Sequence, residues 1–220
     1  MSIKYYLIHC LEHEERMNHI NKLINNFNQP IEIFHGLYTK HVSLDNQLEY
    51  INAFNKDISF DKRYNFNFYL SGQIGCYLSH LSIIEKIMKQ KYNDSEYSVI
   101  FEDDVKYEEN LHNKIIEITE SLKTINHDFD IIFLGNKCSN KGNHIIDNIF
   151  YMNTEKNCFG THALLINNRN IEKIYNVVCN IKHEIDNHYR LSAKENELIC
   201  FTIFPKICKI SGKLNSNIKT

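Results

Sequence analysis

Ser98-Val99-Ile100-Phe101-Glu102-Asp103-Asp104 is the stretch around which the rest of this chain is organised. Its leading residues, with Tyr97, form an apolar run short enough to be a buried strand, and three carboxylates follow where that strand emerges. Adjacent acids repel one another and resist burial, so they require either hydration or a cation. If the backbone stays extended, Glu102 and Asp104 project to one face and Asp103 to the other. Hard oxygen donors in that position suit Mg²⁺ or Mn²⁺, which would bridge to a diphosphate. The competing reading is a solvated acidic turn.

Working outward, strands alternate with helices. Tyr5 to His9 reads as a first buried strand and Glu12 to Phe27 as a helix with Met17, Ile20, Leu23, Ile24 and Phe27 on its apolar face. Ile31 to Phe34 is a second strand, closed by His35-Gly36. This strand–helix–strand order predicts a parallel sheet. Residues 37–68 are polar and weakly periodic, an excursion expected to cover part of the site, with a short helix near Gln47 to Phe54. Ser71-Gly72-Gln73 opens a long helix, Leu111 to Leu122 forms another, and Asp130 to Gly135 is a buried strand. Residues 136–148 read as a loop, Ile149 to Met152 as an edge strand and Thr161 to Ile166 as an apolar strand. A helix over Asn168 to Cys179, a last strand over Cys200 to Phe204 and an irregular tail over 206–220 complete the chain. The class is α/β, with residues 1–220 read as a single domain.

Bulk composition excludes several functions. The formal net charge of −2 does not mark a nucleic-acid binder. No apolar stretch approaches membrane-spanning length, and the amino terminus lacks the pattern of a signal peptide, so the expectation is a soluble cytoplasmic protein. Seven cysteines without a Cys-x-x-Cys pair argue against a zinc ribbon and a dense disulfide framework, and suit buried free thiols in a reducing compartment. Asn, Ile, Lys and Tyr are abundant, a bias that an AT-rich genome produces, such as that of a parasite, symbiont or large virus. Neither a phosphate-binding Gly-Lys-Ser/Thr loop nor a Gly-x-Ser-x-Gly turn nor a His-Glu-x-x-His zinc spacing occurs.

A second motif, Gly72-Gln73-Ile74-Gly75-Cys76-Tyr77-Leu78-Ser79-His80, places Gly75 and Ser79 one helical turn apart. Small residues there admit a ligand or simply a neighbouring backbone. This helix, followed by a strand ending Phe-Glu-Asp-Asp-Val and then by Asp130-Ile131-Ile132-Phe133-Leu134-Gly135, resembles glycosyltransferase family 25, which includes lipooligosaccharide and collagen galactosyltransferases. The resemblance spans nearly the whole chain. Tyr6-Leu7-Ile8 with Arg16, His35-Gly36, Phe159 to Ile166, Ile185-Asp186, Pro205 and Asn215 to Ile218 are similar to further family elements. Leu134-Gly135-Asn136-Lys137 leans toward the collagen-type branch. Two positions depart from the pattern: His9-Cys10 replaces the usual Asn-Leu, and Leu164 replaces a tyrosine.

The resemblance implies a GT-A-type, Rossmann-like fold with a mostly parallel central sheet flanked by helices. It also implies an enzyme that moves a hexose, galactose or glucose, from a UDP-sugar to an acceptor, with inversion. The acceptor classes are a glycan, a lipid-linked sugar or a collagen-like protein. On this reading Glu102 and Asp104 hold Mn²⁺ or Mg²⁺, with His162 or Ser216 to Ile218 completing the shell. Asp186 is the general base. Arg16, Gly36, Gly75, Ser79, His80, Asp103 and Lys137 surround the donor. Residue-level alternatives stay open: Arg16 forming a surface ion pair with Glu12, Lys137 solvated in a loop, and Asp186 merely capping a helix. At the level of function the alternatives are a non-catalytic nucleotide-sugar-binding module and a nucleotide-sugar hydrolase.

Overall fold

The computed structural model describes residues 1–90, 95–138, 140–155 and 158–212. Strand β1 (Ile3–His9) leads through a single 3-10 turn, Glu14–Arg16, into helix α1 (Met17–Asn26) and strand β2 (Ile31–His35). The continuous helix expected from Glu12 is thus broken at Arg16, which is buried rather than displayed on a helix surface. Then come α2 (Gln47–Phe54), β3 (Ser59–Phe60), α3 (Ser71–Lys89), β4 (Tyr97–Glu102), β5 (Val105–Tyr107), α4 (Leu111–Thr124) and β6 (Ile131–Gly135). The chain closes through β7 (His144–Ile146), β8 (Ile149–Tyr151), β9 (Ala163–Asn167), α5 (Ile171–Val178), β10 (Asn180–Ile181), α6 (Ile185–Lys194), β11 (Cys200–Ile203) and β12 (Cys208–Ile210).

An eight-stranded sheet has the order β2-β1-β4-β9-β6-β11-β8-β7. Strands β2, β1 and β4 are mutually parallel, as are β6 and β11. Strand β9 runs antiparallel to both β4 and β6, so those two groups point the same way. The sheet is therefore mostly parallel by direction, with β9 and β8 reversed. Its residues alternate between two faces. Tyr6, Ile8 and Ile100 pack under α3 and α5 with Ile74, Leu78, Leu81 and Ile174. Tyr5, Leu7, Val99 and Phe101 pack under α1 and α4 with Ile20, Leu23, Ile115 and Ile118. Each such side chain contributes roughly 1.5–3 kcal/mol of burial, which is why both faces must be covered by helices.

Several expectations are corrected here. The region read as a loop over 136–148 contains β7, which covers β8, so Ile149 to Tyr151 is not the sheet edge. The tail read as irregular contributes β12, which pairs antiparallel with β5 just beyond the acids. Cys138 and Cys158 form a disulfide, whereas Cys10, Cys76, Cys179, Cys200 and Cys208 are free thiols as the sequence suggested. Asn215 to Ile218 lie outside the described residues. Among the described residues no helix is long and apolar enough to cross a membrane.

One buried contact has a measurable consequence. His188, on α6, is buried with its Nδ1 2.5 Å from the Tyr77 hydroxyl. Burial drives its proton affinity from an ordinary 6.5 down to about 3. Between those values the unfolded chain binds the proton and the folded chain does not, so stability falls as pH drops through that window. Lowering pH from 7.5 to 5 is expected to cost about 2 kcal/mol through this residue. Urea unfolding should show that loss shrinking by about the same amount in His188→Gln; equal losses in both proteins would contradict the assignment.

Candidate active site

The parallel strands β1, β4 and β6 all end at one edge of the sheet, at His9, Glu102 and Gly135. Open α/β sheets bind ligands at such an edge. Because β9 runs the other way, its entry segment Gly160-Thr161-His162 arrives at that same edge, and the Glu102 amide donates to the His162 carbonyl. Two adjoining cavities open there, sharing Cys76, Glu102 and Asp104. One is lined by Arg16, Leu37 to Lys40, Gly75, Ser79, His80 and all three acids. The other is lined by Lys137, Gly160, Thr161, His162, Asp186 and Ile210 with Glu102 and Asp104.

The chain turns between Glu102 and Val105, and the three acids receive different surroundings. Asp103 is buried, with Oδ2 2.9 Å from His9 Nδ1 and Oδ1 accepting from the Arg16 guanidinium. Arg16 thus pairs with Asp103, which corrects the alternative of a surface ion pair with Glu12. Glu102 accepts from the Thr161 hydroxyl at 2.6 Å, and its Oε1 lies 3.1 Å from His80 Nε2. Burial opposes its ionisation, but these hydrogen bonds and the His80 ring hold it well below the usual carboxylate range. For Asp104 the charges of Arg16 and Lys137 favour ionisation. Its Oδ1 is buried and finds no hydrogen-bond partner among the described residues. Burial first, then the Glu102 charge, push its proton affinity up.

Gly75 and Ser79 act on the wall of the first cavity. The Ser79 hydroxyl donates to the Gly75 carbonyl at 2.6 Å and accepts from the Leu37 amide at 2.8 Å. A Cβ on Gly75 would stand 2.4 Å from the Leu37 carbonyl and 2.6 Å from Thr39 Oγ1. The small residues of α3 therefore let the backbone of 37–39 approach and form that wall. Gly36 lines neither cavity; it packs against Cys10 and Ile8, and its amide donates to the His9 carbonyl.

In the second cavity Asp186 accepts from the Gly160 amide at 3.0 Å and from the Asn187 amide at 2.8 Å. Burial nevertheless raises its proton affinity. Asp186 thus sits in the first turn of α6 and also faces the cavity that Asp104 shares. Neither ring nitrogen of buried His162 reaches a hydrogen-bond partner in full geometry among the described residues, and burial lowers its proton affinity against the pull of Glu102 and of the nearby Cys208 backbone. The structure therefore gathers Arg16, Gly75, Ser79, His80, Glu102, Asp103, Asp104, Lys137, His162 and Asp186 on the walls of two cavities at one sheet edge, and Gly36 lies at the same edge but on neither wall. Sequence reasoning assigned no role to His9, Thr161 or Cys76. His9 was visible as the last residue of a buried strand, and Cys76 as the residue one helical turn before His80.

A mostly parallel α/β sheet flanked by helices, with acids at the end of β4, is a Rossmann-like sandwich. The profile described as "Glycosyltransferase family 25 (LPS biosynthesis protein)" matches residues 2–189. The chain belongs to glycosyltransferase family 25. A 66-residue stretch is 36% identical to the "Probable inactive glycosyltransferase 25 family member 3" of Rattus norvegicus, covering 30% of this chain and 11% of the rat protein. Similarity to "Procollagen galactosyltransferase 2" of Mus musculus is 30% over 66 residues, covering 30% of this chain and 10% of that protein. A "Glycosyltransferase 25 family member" of Aedes aegypti is 27% identical over 134 residues, which cover 59% of this chain and 21% of the mosquito protein. The matched part of the chain thus spans between a tenth and about a fifth of these relatives' lengths.

Gly75→Ala should displace the 37–39 segment, because a backbone carbonyl cannot swing aside as a side-chain end can. A loss of about 1–3 kcal/mol in stability is expected from such overpacking. Thermal unfolding of the variant at the wild-type midpoint would contradict this account of the wall.

Proposed function

We propose that the chain is a metal-dependent glycosyltransferase that moves a hexose, galactose or glucose, from a UDP-sugar to a glycan or protein acceptor with inversion. The observation that carries this reading is the Glu102–Asp104 pair. A half-buried and a buried carboxylate share a cavity wall; Glu102 is held ionised by His80 and Thr161, and Asp104 keeps one buried oxygen with no hydrogen-bond partner among the described residues, with only the charges of Arg16 and Lys137 set against its burial and the Glu102 charge. A divalent cation lets both ionise, and carboxylate oxygens suit Mn²⁺ or Mg²⁺. Asp104 would hold the ion directly, Glu102 directly or through water, with His162 nearby. When bound, the cation supplies neutralisation of the negative charge that develops on the departing diphosphate.

The remaining roles belong to the chain itself. The first cavity, walled by residues 37–40 and α3 and holding Arg16, Ser79 and His80, suits the donor nucleotide. Asp103 is clamped by His9 and Arg16, so it positions the guanidinium beside that cavity. Lys137 lines the second cavity, where its ammonium would stand near the phosphates or the acceptor. Asp186, across the second cavity, takes the proton of the acceptor hydroxyl; two backbone amides hold its carboxylate, and burial raises its basicity toward that task. A saccharide, a lipid-linked sugar or a collagen-like hydroxyl side chain all present such a hydroxyl. The mouse relative's name favours a protein of the collagen class.

Two variants separate these roles. Asp104→Asn should abolish the Mn²⁺-dependent part of UDP binding, read by thermal shift, and should remove transfer activity. Retention of metal-dependent UDP binding would overturn the site. Asp186→Asn should keep UDP binding and lower kcat by roughly 10²–10⁴-fold, the usual span for losing a general base. Wild-type kcat in that variant would reject Asp186. A wild-type protein that binds UDP with Mn²⁺ but consumes no UDP-galactose or UDP-glucose would favour the binding-module alternative.

A further inference from the structure

Helix α3 brings a second kind of ligand to the same sheet edge. Cys76 and His80 are one turn apart on α3, and both face Glu102 at the end of β4. One ligand atom from each, a thiol sulfur, an imidazole nitrogen and a carboxylate oxygen, lie within 4.8 Å of one another. No other such trio of His, Cys, Asp and Glu occurs among the described residues. Asp104 and His162 are not part of it. His80 Nε2 and Glu102 Oε1 are 3.1 Å apart and 4.8 Å bounds the trio, which brackets the ~3.5–4 Å between ligands around a tetrahedral zinc ion, so small side-chain rotations reach that geometry.

We propose that Cys76, His80 and Glu102 form a three-ligand site for a borderline-soft divalent cation, Zn²⁺ in the first instance, with its fourth position open to the two cavities. The donor set argues for this ion over a hard one: thiolate and imidazole together select zinc, whereas Mn²⁺ and Mg²⁺ favour oxygen. The charge balances as well. A thiolate, a neutral imidazole and a carboxylate carry two negative charges, which Zn²⁺ cancels in a site where His80 is wholly buried. On binding, the cysteine sulfur–hydrogen bond breaks, the sulfur electron pair goes to the metal and the proton leaves to solvent. Three protein ligands with one open position is also the arrangement of zinc sites that meet small molecules, as opposed to closed structural ones. Glu102 belongs both to this trio and to the acidic pair, so zinc here withdraws it from Asp104. The site stands on the trio alone and does not depend on a UDP-sugar being the substrate.

The test uses metal alone, with no nucleotide, on non-reduced protein free of added metal. Titration with Co²⁺ should give one bound equivalent, a thiolate-to-cobalt charge-transfer band and the strong visible bands of a four-coordinate ion. Cys76→Ser should lose the charge-transfer band and bind Co²⁺ at least ~10-fold more weakly, since even outer partners of a metal ligand are worth that much. Cys10→Ser, which alters the other free thiol beside these cavities, should keep the band. Zinc-edge X-ray absorption on the wild-type protein requires no variant to fold, and should show one sulfur at about 2.3 Å in the zinc shell. A shell of nitrogen and oxygen only, or a charge-transfer band that survives Cys76→Ser, would overturn the proposal. Failure of Mn²⁺-dependent UDP binding would strike the function proposed above and leave this result unaffected.

Discussion

One buried carboxylate oxygen at the mouth of the sheet, on Asp104, lacks a hydrogen-bond partner among the described residues and constrains what surrounds it. Strand β4 delivers three acids in succession to an edge where three other segments converge. Asp103 is satisfied by His9 and Arg16, and Glu102 by His80 and Thr161. Asp104 is placed between the two cavities with a buried, unpaired oxygen. Burying a carboxylate without a partner costs several kcal/mol, and a fold retains such a group only where something else meets it. The proposed cation would be that partner, beside a Glu102 that His80 and Thr161 already keep ionised.

The topology that makes this possible is the reversal of β9. Were β9 parallel to β4 and β6, its leading residues Thr161 and His162 would lie at the opposite edge of the sheet, far from the acids. Instead the antiparallel strand presents them beside Glu102 and places Gly160 where its amide meets Asp186. Helix α3 completes the arrangement from the other side, because Gly75 allows the 37–39 backbone to press against it and Ser79 fixes the distance. The disulfide between Cys138 and Cys158 ties the segment after β6 to the one before β9, so both flanks of Lys137 are anchored.

Much of this was legible in the residues because it rests on local periodicity. The apolar runs Tyr5 to His9 and Tyr97 to Phe101, the helical face from Ile74 to Ile87, and the short helix Gln47–Phe54 all coincide with observed elements. What escaped detection depends on partners distant in sequence. Three-residue strands such as β7 and β12 have too few residues for a period to show, and form only because β8 and β5 offer backbone groups to pair with. The direction of β9 is likewise set by its neighbours and not by its own apolar run. At the site, Glu102 and Asp104 were readable as chemistry-bearing residues where a strand emerges, and His80 as one on helix α3. The roles of His9 and Thr161 were not, since a hydrogen bond between residues more than fifty positions apart leaves no local pattern. Arg16 shows the same limit: its sequence neighbours offered Glu12, whereas the fold gave it Asp103.

The central claim is that Asp104 and Glu102 hold a divalent cation against a nucleoside diphosphate. Anomalous diffraction at the manganese edge, from crystals grown with UDP and Mn²⁺, examines it most directly. The account predicts a single strong peak bridging an Asp104 oxygen and the diphosphate, at about 2.0–2.3 Å from each, in the range of hard-cation bonds to oxygen. UDP bound in the cavity with no manganese peak beside Asp104 would contradict it.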